Sequence, residues 1–92
     1  VKLYSCYDVT AKEYLPPFEA AHDTAAIRST VELLSRNPES NRFVRHRRDY
    51  TLCRVADFDI ETGTFDQVVP STITTLSALY DAHFSGGQNV QA

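Results

Sequence analysis

The chain has 92 residues, 42% hydrophobic and 23% charged, with a formal charge of −3, the make-up of one globular domain rather than a disordered or fibrous segment. No run approaches the roughly 18 apolar residues of a membrane span, and no basic start followed by an apolar core reads as a secretory signal. No membrane partner is therefore expected, and the cytoplasm of the cell that makes the protein is the expected location.

In chain order, residues 2–9 (Lys-Leu-Tyr-Ser-Cys-Tyr-Asp-Val) are aromatic and β-branched enough for a first strand. Pro16 and Pro17 lack amide donors, so residues 14–18 read as an extended connector whose Leu15 and Phe18 tuck against the core. Asp23 is the expected N-cap of a helix over residues 24–36, where Ile27, Val31 and Leu34 recur at helical spacing and Leu33 widens the apolar face. Asn37 is suited to a left-handed cap, and Pro38 prevents continuation. A polar turn leads into the basic stretch Arg42-Phe43-Val44-Arg45-His46-Arg47-Arg48.

The longest strand is expected over residues 49–60, with Tyr50, Leu52, Arg54, Ala56 and Phe58 on one face and Thr51, Cys53, Val55 and Asp57 on the other. Glu61-Thr62-Gly63 supplies a turn, and residues 64–69 pair back as a third strand that Pro70 ends. Beyond it, Leu76, Leu79 and Tyr80 suit a short C-terminal helix, while Thr72-Ile73-Thr74-Thr75 favours extended structure equally. Residues 85–92 are small and polar and read as a flexible tail behind a single domain over residues 1–84.

The expected fold class is α+β, a small β-α-β-β domain with one helix packed on a three-stranded sheet. If the first two strands are adjacent and parallel, the crossover through the helix is right-handed and one sheet face stays open. A chain this short buries only about 60–65% of the surface it exposes unfolded, so homodimerisation through a sheet edge or the open face is the economical expectation.

Charge is unevenly spread. Residues 36–54 hold six arginines against Glu39 and Asp49, a balance of +4, while Lys2, Lys12 and Arg28 face ten carboxylates elsewhere, a balance of −7. A phosphate backbone responds to local potential over about 8 Å in physiological salt, so a remote acidic surface does not forbid binding. Arg42, Arg45, Arg47, Arg48 and Arg54 are candidate phosphate contacts, and His46 is a further donor. Phe43 and Tyr50 bracket the run as candidate stacking platforms for unpaired bases, with core anchoring as the competing role for both. Cys6 and Cys53 lack metal-ligand spacing and read as buried free thiols, so no metal is expected. No catalytic triad, phosphate-cradling loop or dinucleotide turn is present, and neither an enzyme nor a cofactor is expected.

The segment Lys2-Leu3-Tyr4-Ser5-Cys6-Tyr7-Asp8, then Pro16-Pro17-Phe18, the helix opening His22-Asp23-Thr24-Ala25-Ala26-Ile27-Arg28, and residues 49–59 with Thr62-Gly63 carry a resemblance. Together they resemble the small nonstructural protein of gokushovirus-like microviruses, which are single-stranded DNA phages, over roughly residues 2–68. The resemblance implies a single-stranded DNA-binding protein acting in genome replication or packaging, working in the host cytoplasm. The Arg45 to Arg48 run is more basic than the family's segment, and the acidic overall charge argues against bulk neutralisation of a packaged genome. A protein-interaction adaptor is the alternative class. It would engage phage replication, capsid or host proteins through the arginine segment, a sheet edge, or the acids Asp57, Asp59, Glu61 and Asp66.

Overall fold

The computed structural model describes residues 1–37 and 39–85, so Pro38 and, apart from Ser85, the expected tail of residues 85–92 lie outside it. The elements are β1 (Lys2–Asp8), β2 (Glu13–Tyr14), β3 (Phe18–Ala20), α1 (Asp23–Leu34), α2 (Arg42–Arg45), a 3-10 turn (Arg47–Asp49), β4 (Tyr50–Asp59), β5 (Thr64–Thr75), α3 (Leu76–Tyr80) and a π-helical turn (Asp81–Ser85).

The class is α+β, but the sheet has five strands rather than three, and every pairing is antiparallel. The reversal after β1 is the cause. Asp8 accepts from the amides of Thr10 (2.9 Å) and Ala11 (3.2 Å), Lys12 takes a positive φ of 59°, and the chain turns back along β1 as β2 and β3. The connector expected over residues 14–18 thus joins two short strands on the same edge of β1, interrupted where Pro16 and Pro17 offer no donors. Since β3 already runs against β1, α1 returns the chain so that β4 also lies antiparallel to β1, and no parallel crossover forms. Leu15 and Phe18 do pack against the core.

The core lies between one sheet face and the helices. Tyr4 and Cys6 of β1 and Tyr50 and Leu52 of β4 meet Ala26 and Leu34 of α1, Val44 of α2, and Leu76 and Leu79 of α3. The helical spacing within residues 24–36 forms as expected, but the cap is His22, whose Nδ1 accepts from the Ala25 amide at 3.1 Å. Asp23 instead accepts the Tyr4 hydroxyl at 2.6 Å, tying the start of α1 to the centre of β1. Burial, followed by that hydrogen bond and the carboxylate's charge, pushes the Tyr4 phenol up to about 12.

Past α1, Asn37 has φ 38°, the left-handed turn its position called for. β5 runs through Pro70 to Thr75, where the threonine hydroxyl caps α3 by accepting from the Ala78 amide at 3.1 Å. Strand and helix therefore both form in this region, in succession. Pro70 is tolerated because β5 is the outer strand and the register jumps between Arg54 and Ala56 opposite it. Cys6 and Cys53 are buried free thiols; burial holds the first up at about 11 and raises the second as well.

Candidate nucleic-acid interface

The basic stretch is ordered into a short helix and a 3-10 turn because its few apolar residues all point inward. Val44 is buried, and the Phe43 ring packs on Tyr50 with centroids 4.9 Å apart. Asn41 is the clip that sets this segment in place. Its Oδ1 accepts from the Phe43 amide at 2.9 Å to cap α2, while its Nδ2 donates to the carbonyls of Leu33, in the last turn of α1, and Arg36, just past that helix, each at 2.8 Å. One side chain thus ties the start of α2 to the end of α1. Sequence reading passed over Asn41 as part of a polar turn, although Asn directly before an apolar-containing run is an N-cap signal.

With Phe43 and Val44 turned in, Arg42, Arg45, His46 and Arg48 turn out and are exposed. Arg45, His46, Arg47, Arg48 and Asp49 line an open depression of about 340 Å³. Among the described residues, the ion pair within 4 Å is Arg36 with Glu32 at 3.9 Å, so no arginine from Arg42 to Arg54 is neutralised by a carboxylate at that range. Arg45 and Arg48 make no side-chain hydrogen bond there either, leaving ten N–H donors facing solvent.

The other candidate residues have different surroundings. Arg47 is half-buried, donates to the Val44 carbonyl at 2.7 Å and lies 4.2 Å from the centroid of the Tyr80 ring, so it fastens the turn to α3. Arg42 lies over the Phe43 ring at 5.0 Å while remaining exposed. Arg54 is away from the depression, in the middle of β4 between Tyr4 and Ser71, and its charge bears on the Tyr4 phenol. Tyr50 is only 5% exposed and its ring is engaged by Phe43, which corrects the expectation of a stacking platform: as the first residue of β4 it faces the helices, so it anchors the core. Phe43 is half-buried between Tyr50 and the Arg42 guanidinium.

A second concavity adjoins the basic segment. Cys6, Leu15, Pro16, Phe18, Leu33 and Phe43, with Arg42 at the rim, line an apolar opening of about 310 Å³. A neighbouring opening of about 300 Å³ shares Cys6, Phe18 and Leu33 and adds Ser29, Thr30 and Arg36. The two openings thus adjoin between α1, α2 and the connector.

No group of three or more His, Cys, Asp or Glu side chains among the described residues is placed to hold a metal ion, and no helix there is long and apolar enough to cross a membrane. A family model described as Phage ORF5 protein matches residues 1–79, which contain β1 through Leu79 of α3 and the whole basic segment. No curated protein and no solved structure matches the chain.

Proposed function

The chain belongs to the phage ORF5 protein family and is a phage protein, and from that premise we propose that it binds single-stranded DNA in the host cytoplasm during replication or packaging of a small phage genome. The binding is non-enzymatic and independent of base sequence. The observation that carries this reading is the unneutralised arginine surface: Arg45 and Arg48 stand free at an open depression, with Arg42 and His46 exposed beside them. Phosphates are the complementary ligand, because each guanidinium offers a permanently charged fork to two oxygens.

Several features favour a single strand over a duplex. The basic helix is one turn long, too short to lie in a major groove with successive side chains on base edges, and α1 presents Arg28 and Glu32 together on its exposed side. The depression is open, and a flexible strand can follow it. Arg42, resting on Phe43, can swing to a phosphate and free that ring for a base.

Arg42, Arg45 and Arg48, with Arg47 as a half-buried fourth, correspond to three or four phosphates, so the slope of log K against log salt is expected at about −2 to −3. The test is fluorescence anisotropy with a labelled oligothymidylate across a potassium chloride series. Binding that weakens at that slope supports the reading. Absence of binding at low salt refutes it.

A further inference from the structure

The helices α1, α2 and α3 all pack on one side of the sheet, where Tyr4 and Cys6 of β1 and Tyr50 and Leu52 of β4 enter the core. Alternation along β1 therefore turns Leu3, Ser5 and Tyr7 to the opposite face. Register carries that face across the sheet. Tyr7 is paired with Tyr14 of β2, Leu3 with Ala56 of β4, and Phe58, two residues beyond Ala56, with Phe65 of β5. None of these four rings is among the side chains packed on the core.

The helix-free face thus carries an aromatic pair at each end, and the ends differ in charge. Phe58 and Phe65, with ring centroids 4.8 Å apart, sit at the hairpin, where Asp57, Asp59 and Asp66 are their neighbours in sequence. Tyr7 and Tyr14, 4.7 Å apart, sit at the end that meets the basic segment. Thr51 is the β4 partner of Tyr7, the Val9 amide donates to the Asp49 carbonyl at 2.9 Å, and Arg48 is three residues from Thr51, at most about 11 Å along the chain. Lys12 is exposed in the turn between the two tyrosines. The carboxylates at this end are directed elsewhere: Asp8 and Glu13 pair with each other one position along from Tyr7 and Tyr14, which puts them on the helix side, and Asp8 is engaged by the amides of Thr10 and Ala11.

Tyr14 is 48% exposed, and among the described residues neither of these phenols makes a hydrogen bond, whereas the Tyr4 hydroxyl is held by Asp23. A half-exposed ring steadied by a second ring, next to guanidinium groups that no carboxylate neutralises, suits an unstacked base whose phosphate goes to arginine. We propose that Tyr14, supported by Tyr7, is a base-stacking site for the strand whose phosphates the arginine segment holds. This rests on the DNA-binding reading and extends it from backbone to base. Any of the four bases fits, since each has a π face, but the base must be unpaired, so the site selects single strands without reading sequence.

The test is anisotropy with two labelled probes of equal length, an oligothymidylate and an abasic deoxyribose-phosphate oligomer. Wild type should bind the oligothymidylate at least about fivefold more tightly, the effect of one stacked base. Tyr14→Leu keeps an apolar contact with Tyr7 but has no π face. It should lose at least about fivefold in affinity for the oligothymidylate, bind the abasic oligomer as wild type does, and keep the wild-type salt slope because no phosphate contact is removed. Tyr14→Phe should retain affinity to within about twofold. Phe65→Leu, which alters an exposed ring at the acidic end of the same face, should behave as wild type on both probes.

Equal affinity of wild type for the two probes, or a Tyr14→Leu variant that binds the oligothymidylate as wild type does, would overturn this inference while leaving the phosphate contacts in place. A loss shared equally by both probes would overturn it too, since the cause would then be the fold of the β1–β2 turn and not a base. Binding of neither probe at low salt would remove the functional proposal and this one with it.

Discussion

Replacing Arg45 and Arg48 together by Ala isolates the charge of the basic surface from its fold. Both side chains are exposed, and neither makes an ion pair or a side-chain hydrogen bond among the described residues, so truncation leaves the Asn41 clip, Val44 and the Phe43–Tyr50 contact untouched. Thermal stability should stay within about 0.5 kcal/mol of wild type. Each phosphate contact on a single strand contributes about −0.7 to the salt slope, so losing two should flatten it by about 1.4. The same coefficient gives an affinity loss of about tenfold at 0.15 M salt and more than about 100-fold at 0.02 M. The assay is anisotropy with labelled oligothymidylate at several salt concentrations, with Arg28→Ala on α1 as the control expected to change neither slope nor affinity. An unchanged slope in the double variant would refute the assignment of phosphate contacts to this surface, because no compensating fold change is available to mask the loss.

Arg47→Ala should behave differently: losing the bond to the Val44 carbonyl and the stack on Tyr80 costs about 1–2 kcal/mol, a fall in Tm of roughly 5–10 °C by calorimetry. Asn41→Ala removes three hydrogen bonds at two helix ends and should cost about 1–3 kcal/mol by urea denaturation, while also reducing DNA affinity because α2 loses its mooring. The Tyr4 phenol, with a folded pKa raised above its unfolded value, contributes stability that is complete below pH 10 and disappears as pH rises towards 12; Tyr4→Phe should abolish that dependence in unfolding curves taken across the window. Cys6, whose thiol burial raises to about 11, should react with a thiol reagent at pH 8 much more slowly than a free cysteine, and faster as pH rises towards 11, followed as labelling rate against pH.

The readable parts of the chain were those where a local signal and the tertiary fold agree. Ile27, Val31 and Leu34 set α1 through spacing alone, and Thr62-Gly63 marked the hairpin because only Gly takes that turn without strain. Four-residue α2 is below the length at which periodicity speaks, and a side-chain clip from Asn41 and inward packing of Val44 decide it instead. Pro16 and Pro17 hid β2 and β3, since a broken edge strand looks like a connector until its partner β1 is known. The missed reversal at Asp8 then left the strand direction undetermined.

In the candidate site, the arginines were visible as composition. Their division of labour was not, because it depends on neighbours distant in sequence. Tyr80 takes Arg47 inward, Tyr4 and Ser71 flank Arg54, and Phe43 covers Tyr50, which leaves Arg45 and Arg48 as the free pair. The two apolar openings were equally invisible, assembled as they are from β1, the connector, α1 and α2.

The most direct measurement of the central claim is a titration of isotopically labelled protein with a short oligothymidylate, followed by the backbone amide resonances. The account predicts progressive, salt-reversible shifts concentrated on Arg42, Arg45, His46 and Arg48, with the hairpin from Asp59 to Thr64 unmoved. Shifts confined to the hairpin, or none at low salt, would contradict it.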